Sequence, residues 1–399
     1  MKIKYSIILI LTSLVLISCD DISFDNFSFD KFSLDSLFHS ETKLPPELES
    51  VLKSKDSINK VKLASIEKAK RQKVLLSNNS SIPKINYTCF APTKIQLDSI
   101  KKIFGVNDSS RQILTTLNRK DWGFIKPGDS VVIPDTLILD PKFYSALPQF
   151  YHEASDIKKL IIISNAFQCY AAYEFGKLVR FAGVNTGTKS KPTFPGRYAL
   201  NWKERLRRSS LDTNWKLPYN WNFHMYAGNA FHQFIRPGRP ASHSCVRQSM
   251  ADAKWLFDWG EGAIKDTNNK MIPLTGTPVI ILDMFDYDRK SGGPWRELKS
   301  NKDIVIQLPK KPMDVEEALI PLSQIPPELR GGKSKNDRYK FAEDSLRARG
   351  ILDSNWRLST SINYNSRRKA KVKLNARIIA KRNLEKLKKS EEIAPIISE

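Results

Sequence analysis

The chain has 399 residues, 41% of them hydrophobic, which is enough for two or three small domains of ordinary soluble composition. Its 65 Lys and Arg against 42 Asp and Glu give a formal net charge of +23, a balance that ordinarily points to nucleic acid. An export leader at the amino terminus excludes that partner and leaves an anionic surface, either lipid headgroups or a wall whose peptides carry free carboxylates.

The leader reads as Lys2 and Lys4, an apolar run from Ile7 to Ile17, and small Ser18 before Cys19. The run is short for a membrane-spanning helix. Its ending, Leu16-Ile17-Ser18-Cys19, resembles a bacterial lipobox. The resemblance implies removal of residues 1–18, acylation of Cys19, and a lipoprotein of the cell envelope, anchored to a membrane and facing the periplasm. The alternative is an ordinary secretory signal. Export puts Cys89, Cys169 and Cys245 where disulfides form, and three is odd. Cys89 and Cys169 are open to two readings, a pair or two buried thiols.

Residues 19–85 read as a tether followed by an amphipathic helix. The pentads "SFDNF SFDKF SLDSL" from Ser23 to Leu37 are too few to bury a core. From Pro46 to Leu76, Leu48, Val51, Leu52, Ile58, Val61, Ile66 and Ala69 fall mostly at helical spacings among Lys residues. "SNNSSIP" then breaks the chain.

Residues 86–135 predict a strand at "YTCF", helices around Ile95–Phe104 and "RQILTTLN", a "KPGD" turn and a strand at "VVIP". This βααβ order resembles the lysin motif, a glycan-binding module of cell-wall enzymes, with the likeness carried by Leu117-Asn118 and Ile125 to Pro134. "APTKI" stands where that motif has Gly-Asp-Thr.

From Leu160 the pattern becomes β, with "LIIIS", "CYAAYEF" and "LVRFAGV", then a loop rich in Gly, Pro and Thr leading into "GRYAL". "ADAKWLFDWGEG" has helical spacing and a Gly stop, and "GTPVIILDMF" reads as a buried strand. Beyond Arg289 the periodicity fades until Arg367–Lys389, a predicted helix with eleven basic residues and one acidic. It is a solvated surface helix or an anchor to membrane or wall.

The chemistry concentrates in "RPASHSCVRQ", where Cys245 follows His243 by two residues, with His224 and His232 just upstream. A Cys attacks an acyl group as thiolate, and a neighbouring His takes its proton. On an extended strand residues 243 and 245 share a face, which predicts His243 beside Cys245. Arg236, Arg239 and Arg247 add positive charge that favours thiolate and attracts carboxylates. His232, His243 and Cys245 also form a possible zinc set, without the paired His or second Cys pair that usually accompany one. The reading takes no metal and no cofactor.

His232, then Ser242-His243-Ser244-Cys245-Val246-Arg247, resembles the signature of the L,D-transpeptidase catalytic domain. "VNTGTKSKPTFPGRYAL" and "GTPVIIL" match that family's approach to the site and its closing strand. The likeness implies an α+β multidomain chain whose domain at 155–288 is mostly β, a β-sandwich, followed by a basic extension at 289–399. It further implies that Cys245 attacks the carbonyl of the third residue of a peptidoglycan stem, releasing D-alanine, with His243 as proton carrier. N–H groups around Ser244 and Cys245 would hold the oxyanion, and the amine of a second stem would take the acyl group. His232, Arg247, Arg236 and Ser242 are expected to shape the site or meet stem carboxylates. Ser244 stands where the family has Gly. If position 244 needs positive φ, Ser costs about 1 kcal/mol there. Alternatives within and outside this chemistry are a carboxypeptidase or wall-protein releasing hydrolase, and a non-catalytic tether between envelope and wall.

Overall fold

A computed structural model describes residues 82–289 and 291–393, together with Lys62, and residues 68–399 fall in one unit. Cys19, the pentads and all but one residue of the predicted helix at Pro46–Leu76 lie outside the described residues. Among the described residues no helix is long and apolar enough to cross a membrane.

The chain first makes β1 (Tyr87–Phe90), α1 (Lys94–Phe104), α2 (Asp108–Asn118) and β2 (Val131–Pro134), in the predicted order. Thr93 and Gln96 form a capping box that starts α1, and Asn107 with Ser110 does the same for α2. β1 and β2 pair antiparallel from Tyr87 opposite Pro134 to Phe90 opposite Val131. The Asn118 side chain accepts from Val132 N–H at 2.7 Å and donates to the carbonyls of Leu114 and Val132 at 2.9 Å, fastening α2 to β2. Leu97, Ile100, Ile113, Leu114 and Val131 bury between them. Cys89 and Cys169 are free thiols, which closes the disulfide option; Cys169 is buried, but Cys89 is exposed, which corrects its expected burial.

Two sheets follow. One has five strands in the order β5 (Lys177–Gly183), β4 (Cys169–Glu174), β3 (Leu160–Ser164), β11 (Pro278–Ile281), β6 (Gly196–Ala199). The other runs β10 (Val246–Gln248), β9 (Asn229–Gln233), β8 (Lys216–His224), β7 (Lys203–Arg208). Ile161, Ile163 and Tyr170 from the first and Trp221, Phe231 and Val246 from the second share one core, so the sheets pack face to face. Each such side chain contributes about 2 kcal/mol of burial. α3 (Met250–Trp259), capped by Ser249, closes one side through Leu256.

The segment beyond Arg289 has little periodicity because it is built from short pieces, including α4 (Pro327–Arg330), α5 (Asp337–Lys340) and α6 (Ala342–Ala348). Ala318, Ile320, Ile325, Tyr339, Leu346 and Trp356 nevertheless enter the same core as the two sheets. At Gly196, φ is +130° and a Cβ would lie 2.6 Å from the Ala318 Cα, so glycine lets this segment lie against β6. α7 (Tyr364–Ile393) is the predicted basic helix, exposed from Ser366 to Lys388.

Candidate active site

Cys245 sits one residue before β10, which pairs parallel to β9 with Val246 opposite Phe231 and Arg247 opposite His232. The expected extended strand is absent at 243–245: His243 and Ser244 form a bend, and Ser244 has φ +73°. This corrects the premise that brought His243 beside Cys245. No hydrogen bond joins Cys245 Sγ to His243 among the described residues. The left-handed Ser244 is held in place by its carbonyl, which accepts from Thr193 Oγ1 and Asn229 Nδ2, both at 3.1 Å. Ser242 Oγ donates to the Cys245 carbonyl at 2.5 Å and closes the turn.

The loop through Thr186, Gly187 and Thr188 supports this turn. The Thr186 carbonyl accepts from the N–H groups of Ala241 and Ser242 at 2.9 and 3.0 Å, and Thr188 N–H donates to the Ser242 carbonyl at 3.0 Å. A Cβ on Gly187 would meet the Lys191 carbonyl at 2.1 Å, so only glycine permits the loop to close this tightly. Its N–H donates to Thr193 Oγ1 at 2.9 Å, linking the loop to the hydroxyl that steadies Ser244.

Above the turn opens a cavity of about 240 Å³ lined by Cys245, His243, His232, Ser242 and Arg247, with Asn220 and Trp215 from the β7–β8 hairpin. Pro326 and Leu329, from the segment beyond Arg289, complete it. His224 lies outside this lining. Burial pushes the Cys245 thiol up, against the Ala230 N–H and Arg247, which both pull it down. His232 is buried; burial lowers it to about 4, outweighing the Gln233 carbonyl. Its Nδ1 lies 3.0 Å from that carbonyl, so Nδ1 carries the proton and Nε2 is left as an acceptor. Burial also lowers His243, helped by Lys191 and Arg247. Its Nε2 lies 3.3 Å from the Tyr364 hydroxyl, and its ring packs on Trp215 with centroids 5.0 Å apart. Arg247 donates to the Ile235 carbonyl at 3.2 Å and lies 4.7 Å from the Phe234 ring centroid.

Arg236 does not reach the cavity, which corrects its expected contact with substrate. It is 1% exposed, and its side chain binds Asp121 and the Gly183 carbonyl at 2.8 and 2.6 Å. Asp121 also accepts the Arg236 backbone N–H at 2.8 Å. Arg236 thus ties the βααβ region to the two packed sheets. The zinc alternative has no geometric counterpart: no group of three or more His, Cys, Asp or Glu fit to hold a metal occurs among the described residues. Trp215, Tyr364, Thr193 and Asn229 were not legible as site residues. Tyr364 lies far beyond Cys245 in sequence and Trp215 in a hairpin tip, so no spacing connects either with the motif.

Residues 158–281 match the YkuD family, the L,D-transpeptidase catalytic domain. An L,D-transpeptidase of Xylanimonas cellulosilytica is 25% identical over 43% of this chain and 79% of its own, with a TM-score of 0.30. One from Stackebrandtia nassauensis is 23% identical over 33% of this chain, with a TM-score of 0.27, and the chain spans 58% of its length. An L,D-transpeptidase of Mycobacterium tuberculosis is 21% identical, with coverages of 32% and 58% and a TM-score of 0.24. No curated protein matches the chain.

Proposed function

We propose that the chain is a peptidoglycan L,D-transpeptidase that works through an acyl-enzyme on Cys245, with His232 as the base. The observation that carries this reading is that Cys245 and a buried His232 line one cavity, the Nδ1 of His232 being committed to the Gln233 carbonyl. A neutral imidazole so fixed offers Nε2 to a thiol proton. His243, the base suggested by the sequence, has its Nε2 occupied by Tyr364 instead.

In the proposed cycle the Cys245 proton passes to His232 Nε2 as Sγ bonds to the carbonyl carbon of the third stem residue. The oxyanion is met by the N–H groups of Ser244 and Cys245, which have no other partner among the described residues. Collapse breaks the amide C–N bond, and His232 returns the proton to the departing D-alanine amine. The side-chain amine of a second stem then attacks the thioester, yields its proton through His232, and leaves a crosslink between third residues with the thiol restored. Arg247 supplies positive charge at the cavity wall for a stem carboxylate.

An acylated Cys19 holding this domain at the periplasmic face of a membrane, and a glycan contact by residues 86–135, belong to the same proposal. The first rests on the lipobox-like leader and the second on the βααβ plan. Incubation with stem tetrapeptide and an amine acceptor, followed by mass spectrometry of the products, tests the reaction. Free D-alanine with a crosslinked dimer supports transpeptidation. D-alanine with tripeptide alone makes the enzyme a carboxypeptidase, and no D-alanine overturns both.

A further inference from the structure

The cavity is finished by residues that the catalytic motif does not contain. Tyr364, the first residue of α7, brings its hydroxyl to 3.3 Å from His243 Nε2, and Trp215 packs against both rings, with centroids 5.0 and 5.5 Å apart. The start of α7 is fastened to the tip of the β7–β8 hairpin. The Leu211 carbonyl accepts from the N–H groups of Tyr364 and Asn365 at 2.7 and 3.2 Å. Asn365 Oδ1 accepts from both the N–H and the hydroxyl of Thr213 at 3.0 Å, and Arg368 pairs with Asp212 at 2.6 Å. The phenol therefore arrives at His243 on a braced support, together with the hairpin that carries Trp215.

A phenol is a good donor and a neutral imidazole nitrogen a good acceptor. With Nε2 accepting, the ring proton sits on Nδ1, which has no hydrogen-bond partner among the described residues. Lys191 and Arg247 are the charged groups that bear on this ring, and both favour its neutral form.

We propose that Tyr364 is a positioning residue: its hydroxyl donates to His243 Nε2 and thereby sets the tautomer in which Nδ1–H is offered to an acceptor oxygen of the bound stem peptide. The C-terminal helix is then part of the substrate site, and His243 binds substrate while His232 moves protons. The rate arm of this inference rests on the acyl-transfer reading; the tautomer does not.

The test compares the full wild-type chain with Tyr364→Phe, which keeps the ring against Trp215 and removes only the hydroxyl. An unchanged thermal midpoint separates the effect from loss of fold. Two-bond 15N–1H spectra, with His243→Gln to assign the signal, should show His243 protonated on Nδ1 in wild type and shifted toward Nε2 in Tyr364→Phe. The apparent KM for stem tetrapeptide in Cys245 acylation should rise about tenfold, with a smaller change in the limiting rate. A wild-type His243 protonated on Nε2, or a variant with unchanged tautomer and KM, would overturn the inference. Wild type that shows the Nδ1 tautomer but never acylates would uphold the Tyr364 contact and sink the acyl-transfer reading.

Discussion

His232 and His243 line one cavity from two unlike regions. His232 lies within β9, a regular strand, and takes its orientation from the carbonyl of the next residue in its own chain. His243 lies in a bend that opens on a left-handed Ser244 and takes its orientation from Trp215 and Tyr364, both distant in sequence. A side chain in a ladder inherits its geometry locally, whereas one in a bend must borrow it. In the proposed reading the first transfers the proton and the second contacts the substrate.

The largest effect that would break this comparison is on rate. Replacement of His232 by Ala should slow Cys245 acylation about 10³-fold, as for loss of a general base. His243→Ala should slow it only about tenfold, as for loss of one substrate hydrogen bond. Stopped-flow acylation by a carbapenem, whose strained amide presents the same carbonyl chemistry, measures both, and the reverse order would return the base role to His243.

Next in size is Arg236→Ala, which removes a buried guanidinium from a half-buried Asp121 and should cost about 2 kcal/mol of stability. Acylation per folded molecule should be unchanged, and a matching loss of rate would restore Arg236 to the site. A third test sharpens the account of His232. Its folded value of about 4 lies below its ordinary 6.5, so between these the unfolded chain holds the extra proton. Stability should therefore fall as pH drops from 6.5 toward 4, and urea midpoints for His232→Gln should fall less steeply over that window. The smallest effect is at the bend, where Ser244→Gly should relieve the left-handed backbone and stabilise the fold by about 1 kcal/mol. A loss of stability would mean that the Ser244 side chain contributes more than its backbone costs.

What the sequence made legible follows the same division. The strands "LIIIS" and "CYAAYEF" and the capped helices α1 and α2 announce themselves because their signals are periodic and local. The Cys245 site stands out because rare side chains cluster. The bend at 243–244 was misread as strand, since alternation alone does not register a residue held at positive φ by Thr193 and Asn229. Arg236 was misread as a site residue because its partner, Asp121, belongs to another part of the chain. Tyr364 was hidden for the same reason, at the head of a helix whose remaining residues read only as basic surface.

The central claim is a covalent acyl-enzyme on Cys245. Intact-protein mass spectrometry after mixing with stem tetrapeptide tests it most directly, with Cys245→Ala beside it. The account predicts an adduct equal to the tetrapeptide less D-alanine in the wild type and none in Cys245→Ala. No adduct in the wild type with either tetrapeptide or carbapenem, or an adduct that survives Cys245→Ala, would contradict it.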